Sequence, residues 1–365
     1  MSVLDRKELE QSPLADLHAI ASELGVESYR RLRKDELISA IIEGQGGDGG
    51  GEPQADSEEP DHEPEPEAEI EAGAEEEEEE PEPEPDEEEE PEPEEEDIRT
   101  GILDILPNGS GFMRPDPFAH SRDDVYVSPA QIRRCELRAG DEITGPVRPP
   151  RRSERYPSLV RVDSVNGAQP EPPAERPRFE DLTPVFASER LPLPEGLDWV
   201  PYGRGSRVAI AGPPGTGATG LLRRIVGTLK EHAPDLQLTV VLVGVRPEEV
   251  TEWRRDAGVT VAGGAFDRSV DEQAQVAEMA IERAKRSVEQ SGHAVVVIDG
   301  LDSLPPSVAR RVFGAARRLE EGGSLTVIAT VGQSSEPLRV ATTRILLDNG
   351  GPGPGSGTLR GDLLG

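Results

Sequence analysis

The sequence predicts a multidomain chain with a small helical N-terminal domain (1–45), a disordered acidic linker (46–97), a small β-barrel (98–168), an α/β domain (178–348) and a flexible tail (349–365). Three observations lead there. The negative charge is concentrated in one stretch. Past it, five short apolar runs broken by Gly and Pro fall within about 65 residues, the spacing of a compact all-β unit. Beyond those, β-branched runs alternate with helical periodicity around a glycine-rich loop, the pattern of a parallel sheet covered on both faces.

The 365 residues hold 73 acidic side chains against 39 basic ones, a net charge of −34. Residues 46–97 contain 29 of the acids and no Lys or Arg; outside them 44 acids face 39 bases, a net −5. No run of 18 apolar residues is present, and Met1–Glu10 lacks a basic-then-apolar leader, so a cytoplasmic protein without a membrane partner is expected. The lone Cys135 can neither close an internal disulfide nor build a thiolate zinc site, and five scattered histidines have no metal spacing.

In the first segment Leu14, Leu17, Ile20, Ala21 and Leu24 recur at helical spacing, Gly25 interrupts, and Leu37, Ile38, Ile41 and Ile42 resume the pattern. The turn between them holds Tyr29, Arg30, Arg31, Arg33 and Lys34, which fit a solvated helix end or a small nucleic-acid platform. The acidic linker, nearly devoid of apolar side chains, cannot offset the entropy of ordering. It reads as a solubilising spacer or as a nucleic-acid mimic that keeps polyanions off the protein's own basic surfaces.

The five β runs are 101–106, 108–114, 125–127, 142–147 and 159–162. Alternation along a strand puts Phe112 and Arg114 on one face, where an aromatic ring and a guanidinium suit a stacked single-stranded base and its phosphate. Tyr156 adds a ring, and Arg148, Arg151, Arg152 and Arg155 add a positive rim. The competing reading makes Phe112 a barrel-core residue; the arginines argue for the RNA face.

The segments Gly101-Ile-Leu-Asp-Ile-Leu-Pro-Asn-Gly-Ser-Gly-Phe-Met-Arg, Asp124-Val-Tyr-Val-Ser-Pro-Ala-Gln-Ile-Arg-Arg, Arg148-Pro-Pro and Glu154-Arg-Tyr closely resemble the cold-shock-like RNA-binding domain of the bacterial transcription termination factor Rho family. Arg31-Leu-Arg-Lys-Asp-Glu-Leu-Ile resembles the small helical domain preceding that barrel, and the likeness resumes from Phe179 to about Thr330. It implies an OB/cold-shock-like barrel followed by a RecA-like P-loop domain, single-stranded RNA as partner, ATP and Mg2+ as cofactors, and assembly into rings. Ser110 stands where the family motif has a first aromatic, which predicts base binding weaker by about 1–3 kcal/mol, the worth of one stack.

In the α/β domain, Arg207–Ala211 is a strand entering the loop Gly212, Pro213, Pro214, Gly215, Thr216, Gly217, Ala218 and Thr219, with a helix following. Backbone amides of such a loop would face a phosphate at a helix N-terminus, unless the loop is a relic turn that binds nothing. The full phosphate-loop signature requires lysine where Ala218 stands. Thr219 and Asp299, the latter closing its apolar strand, are the expected magnesium ligands. Where the family carries an acidic pair before Arg-Pro-Glu-Glu-Val, the second acid activating water, this chain has Gly244 and Val245. The pore-loop stretch between Asp299 and Phe313 is short, and the region that supplies a trans-acting arginine is reduced, with Arg339 and Arg344 as weak substitutes.

These losses predict a degenerate, non-hydrolysing RecA-like domain, since positioned charge supplies nearly all phosphoryl-transfer catalysis. No confident catalytic residue remains, and ATP with Mg2+ would be held weakly. The leading expectation is an RNA-binding protein that acts in or modulates transcription termination, with RNA polymerase, complete Rho subunits or further copies of itself as partners. One alternative is an active ATP-dependent translocase in which Arg223 or Arg224 replaces the missing lysine. Another is an acidic scaffold or regulator of other Rho subunits.

Overall fold

In a computed structural model of the chain, the structure describes residues 96–365, apart from 172, 174, 214, 257, 349, 350 and 365, together with Leu17 and Ile38. Those two are helical and buried, at positions of the expected apolar pattern. The rest of the expected helical domain, and the linker up to residue 95, lie outside the described residues. Among the described residues no helix is long and apolar enough to cross a membrane.

The first β unit comprises β1 (Ile98–Ile105), β2 (Gly111–Arg114), β3 (Val125–Val127), a short helix α1 (Pro129–Arg134), β4 (Glu142–Arg148), β5 (Ser158–Leu159) and β6 (Ser164–Val165). β1 pairs with β2 and β4, β2 with β3, β3 with β5, and β5 with β4, which closes a five-stranded barrel; β6 adds to β4. Alternation fills its centre with Leu103, Met113, Val125, Val127, Ile143 and Val147, so Phe112 and Tyr126 point away from it. The linker boundary needs correction. Glu96 forms a two-point ion pair with Arg161, and Asp97 one with Arg99, so these two acids belong to the barrel.

The second unit follows through β7 (Pro184–Val185). It runs β8 (Arg207–Ala211), α2 (Ala218–His232), β9 (Leu236–Val245), α3 (Pro247–Asp256), β10 (Thr260–Ala265), α4 (Val270–Glu289), β11 (His293–Asp299), α5 (Pro306–Gly314), β12 (Arg317–Leu319), β13 (Ser324–Val331), α6 (Glu336–Val340) and β14 (Thr343–Asp348). Six strands form a parallel sheet in the order β10-β9-β11-β13-β8-β14. Its β-branched strands bury both faces. Val208, Ile210, Val240 and Val295 pack under α2 and α3 with Trp253, whereas Ala209, Ala211, Val241 and Val296 pack under α4 and α5 with Phe313.

The expected flexible tail is also corrected. β15 (Gly351–Pro352) and β16 (Gly357–Thr358) pair antiparallel with β14, the Thr358 hydroxyl donates to the Pro201 carbonyl, and Leu364 is buried. Gly and Pro make this segment read as mobile. The unpaired edge of β14 offers it a row of backbone donors and acceptors instead.

The barrel is fastened to the sheet domain at Glu289, whose carboxylate accepts from Arg138 Nη1 at 3.2 Å, Arg286 Nη2 at 3.0 Å and the Phe179 amide at 2.9 Å.

Candidate functional site

Two sets of residues read from the sequence are each gathered in space. The first is aromatic and lies on the barrel. β2 and β3 pair so that Phe112 stands opposite Tyr126, their centroids 6.0 Å apart and edge to face. Tyr156 meets Phe112 from the other side at 5.0 Å, and the Arg155 guanidinium covers the Tyr156 ring at 5.4 Å. Three partly exposed rings and a stacked guanidinium make a continuous platform of the kind on which bases stack. The sequence reading missed Tyr126. Its signal is present in Val125-Tyr126-Val127, where alternation buries the valines and exposes the ring.

The arginines divide. Arg151, Arg152 and Arg155 are exposed and form no ion pair among the described residues, so they remain available to phosphates. Arg148 is bound at two points by Glu154, at 2.6 and 2.8 Å, and Glu154 also accepts from the Arg151 amide at 3.1 Å. Those hydrogen bonds, Arg148 first, hold the Glu154 carboxyl down to about 2.

Arg114 does share the face of Phe112, but the residue is only 5% exposed. Nη2 lies 2.8 Å from Asp104 and Nε lies 3.7 Å from Asp124. Its charge is therefore met by two carboxylates outside the barrel's apolar centre. Arg114 Nε and Asp124 Oδ1 are both buried without a hydrogen-bond partner. Burial pushes the Asp124 carboxyl above its usual range. Ser110, at the position of the missing aromatic, is buried, and its amide and hydroxyl both donate to Asn108 Oδ1, at 3.1 and 2.8 Å.

The second set surrounds the loop at the carboxyl end of β8, where open parallel sheets bind ligands. Gly212, Pro213, Gly215, Thr216 and Gly217 lead into α2, whose first two residues are Ala218 and Thr219; Pro214 lies outside the described residues. Gly215 and Gly217 take φ of +87° and +86°, which only glycine adopts readily. The Thr216 amide and hydroxyl both donate to the Pro213 carbonyl, at 3.2 and 2.7 Å, which tightens the turn.

Asp299 ends β11 beneath this loop. Its Oδ1 accepts from the Thr330 hydroxyl at 2.8 Å, and Thr330 in turn accepts from the Gly300 amide at 2.7 Å. Burial pushes the Asp299 carboxyl up, opposed first by the Thr330 hydroxyl and then by the nearby Thr219. The buried Asp299 Oδ2 has no hydrogen-bond partner, so an oxygen-seeking cation completed by water fits Asp299 with Thr219.

The positions of the expected base are closed. Gly244 has φ +64°, its amide donates to Gln273 Oε1 at 2.5 Å, and a Cβ there would lie 2.8 Å from Ser303 Oγ. Val245 is buried with Val250 and Trp253. The two arginines considered as lysine substitutes have different surroundings. Arg223 pairs with Glu252 at 2.7 Å and stacks on Trp253 at 5.2 Å, and Arg224 reaches the Glu195 carbonyl at 3.5 Å.

Residues 99–171 match the family described as Rho termination factor, RNA-binding domain, and residues 8–50 match Rho termination factor, N-terminal domain. Over 88% of its length the chain is similar to proteins named transcription termination factor Rho. It is 35% identical to that of Haemophilus influenzae, 33% to that of Pseudomonas fluorescens and 34% to that of Escherichia coli K12, spanning 75% of each. Among solved structures, an ATPase of the type III secretion system of pathogenic bacteria superimposes with a TM-score of 0.41 at 19% identity, over 53% of this chain and 68% of that one.

Proposed function

The chain belongs to the transcription termination factor Rho family, and on that premise we propose that it binds single-stranded RNA on the Phe112–Tyr126–Tyr156 face and acts in termination without hydrolysing ATP. The rings stack successive bases, and Arg151, Arg152 and Arg155 hold the phosphates.

The buried pair Arg114 and Asp124 supports a preference among bases. Its unpartnered Nε donor and carboxylate acceptor sit one strand step from Phe112 and Tyr126. Cytosine presents an amino donor beside ring acceptors and answers both groups; uracil presents a carbonyl where Asp124 needs a donor. RNA binding there would satisfy two polar atoms that the free protein leaves unpaired.

In the sheet domain the backbone amides of 215–219 would face a phosphate at the α2 N-terminus, and Thr219 with Asp299 would hold Mg2+, which supplies charge neutralisation between phosphate oxygens. Ala218 brings no ammonium to the terminal phosphates, and Gly244 and Val245 cannot take a proton from water. The single observation that carries the non-hydrolysing reading is that Gly244, packed against Ser303, and the buried Val245 stand where the expected acids would be. The protein would act as an RNA-holding subunit, alone or beside complete family members.

The test pairs two assays on the purified chain. Oligo(C) should bind more tightly than oligo(U), by about 1–3 kcal/mol, the worth of a matched base pairing with the protein, and Asp124→Asn should narrow the gap. ATP hydrolysis should stay at the no-protein rate with and without RNA. Equal binding of the two oligonucleotides rejects the base preference, and brisk RNA-stimulated turnover rejects the non-hydrolysing reading.

A further inference from the structure

At the amino-terminal edge of the parallel sheet, opposite the nucleotide loop, the connector at β7, the start of β8, β12 and the C-terminal strap enclose a cavity of about 210 Å³. Two arginines line it. Arg207 donates through Nε to the Val340 carbonyl at 3.2 Å and through Nη1 to the Ala316 carbonyl at 2.8 Å. Arg317 donates through Nε to the Ala315 carbonyl at 3.2 Å and lays its guanidinium on the Phe179 ring at 4.7 Å. Their partners are carbonyls and a ring; among the described residues neither arginine has a carboxylate in ion-pair range. Arg207 Nη2 and both Nη groups of Arg317 make no hydrogen bond there. Burial, with the Arg317 charge beside it, pushes Arg207 below the usual arginine range.

Two adjacent cations without a counter-charge are an uncompensated arrangement, and elsewhere in the chain arginines at comparable depth have carboxylates, as Arg176 has Asp141 at 2.6 Å and Arg204 has Glu189 at 2.7 Å. Free donors in a planar fork match a carboxylate. Beside Thr342 and Thr358, one part of the wall is apolar and exposed, with Val185 at 39%, Phe186 at 50% and Leu359 at 60%. A bare inorganic anion would leave that wall wet. At about 30 Å³ per water the space equals roughly seven waters, enough for a branched chain or one ring and too little for a nucleotide.

We propose that this cavity binds a small organic carboxylate with a short apolar body, its carboxylate between Arg207 and Arg317 and its body against Val185, Phe186 and Leu359. The occupant would tie the connector from the barrel and the C-terminal strap to the same sheet edge. Ligand occupancy would then stiffen the joint between the RNA-binding barrel and the sheet domain.

The full chain is titrated by calorimetry and thermal unfolding with 4-methylpentanoate and phenylacetate, and in parallel with their neutral amides and with inorganic phosphate. Saturable binding of at least one acid is expected, accompanied by a rise in unfolding midpoint, with the amides and phosphate at least about tenfold weaker. Arg317→Met should weaken the acid about tenfold, the scale of one charge-assisted hydrogen bond. Because Arg317 also stacks on Phe179, Phe186→Ser is made alongside; that ring is half exposed, and its loss should likewise weaken the acid. No saturable binding of either acid, equal affinity for acid and amide, phosphate bound as tightly as the acids, or unchanged affinity in a folded variant each overturns the proposal. None of these outcomes depends on RNA or ATP, so the RNA reading stands or falls separately.

Discussion

Glu154 grips Arg148 at two points, Oε2 to Nη1 at 2.6 Å and Oε1 to Nη2 at 2.8 Å, and the same carboxylate accepts from the Arg151 amide. One side chain therefore shapes the loop that presents Arg151, Arg152, Arg155 and Tyr156. Its folded carboxyl sits at about 2, below the ordinary 4.5. A depressed acid stabilises the fold above its ordinary value and loses that contribution as pH falls through the folded value. Followed by NMR, the Tyr156 ring signals should hold steady from neutral pH past about 4.5 and shift with a midpoint at about 2. Glu154→Gln should remove that acid transition and weaken RNA binding several-fold at neutral pH.

The rings and the exposed arginines should separate by salt. Phe112→Ala removes the central ring of the cluster and is expected to cost about 1–3 kcal/mol of RNA affinity, with the salt dependence unchanged. Arg151→Ala and Arg155→Ala should instead lower the slope of log affinity against log salt, by about 0.7 for each phosphate of a single strand that goes unneutralised. Titrations at three ionic strengths read both effects, and a changed slope in the Phe112 variant would contradict the division of labour.

The parallel core and the barrel strands are legible because burial on both faces writes continuous β-branched runs, as at Val295–Ile298, and burial on one face writes alternation, as at Val125–Val127. The helix α1 escapes that reading although Ser128 and Gln131 form a reciprocal capping box with Pro129 at the first turn, a signal present in the sequence. Other features have no local signal. That Arg114 turns onto Asp104 and Asp124 depends on strand register, and that the glycine-rich C-terminal segment pairs with β14 depends on which strand is left at the edge. The closure at Gly244 also arises from a distant residue, Ser303, which only the fold brings within reach.

Asp299 should show the cost of a carboxylate kept in the core. Its folded pKa is raised, chiefly by burial, so the charged form is disfavoured in the fold. Stability is therefore greatest where the acid is protonated and is lost as pH climbs from the unfolded value of about 3.9 through the folded one. Asp299→Asn keeps an acceptor for the Thr330 hydroxyl and removes the charge. Thermal unfolding should find the variant at least as stable as the parent at pH 7, with the difference shrinking toward about pH 4, while Mg2+-dependent nucleotide binding disappears. A variant that melts much lower at pH 7 would show that the carboxylate is structural.

The junction at Glu289 gives a separate expectation. Its carboxylate, 5% exposed, holds Arg138 of the barrel and Arg286 of α4 together with the Phe179 amide. Removing one partner of a buried pair leaves the others uncompensated, typically at about 3–5 kcal/mol. Glu289→Ala should lower the urea midpoint by that order. It should also let the barrel and the sheet domain unfold in two steps, seen as non-coincident transitions of Trp253 fluorescence and barrel NMR signals.

If the nucleotide site is non-hydrolysing as proposed, it should resist repair by single substitutions, and unequally. Ala218→Lys sits at the first turn of α2, half-exposed, and adds an ammonium where a terminal phosphate would lie, so nucleotide affinity should rise. Turnover should not follow, because neither Gly244 nor Val245 can take a proton from water. Val245→Glu would supply a group that can, but Val245 is buried at 7% among Val250 and Trp253, and an unpaired carboxylate there costs several kcal/mol or stays protonated. Gly244→Glu adds strain at φ +64° and a clash with Ser303. Combining Ala218→Lys with Val245→Glu should therefore give a less stable protein that binds nucleotide better than the parent and still hydrolyses it at background. RNA-stimulated turnover in the Ala218→Lys variant alone would mean that a water-activating group is already in place outside positions 244 and 245.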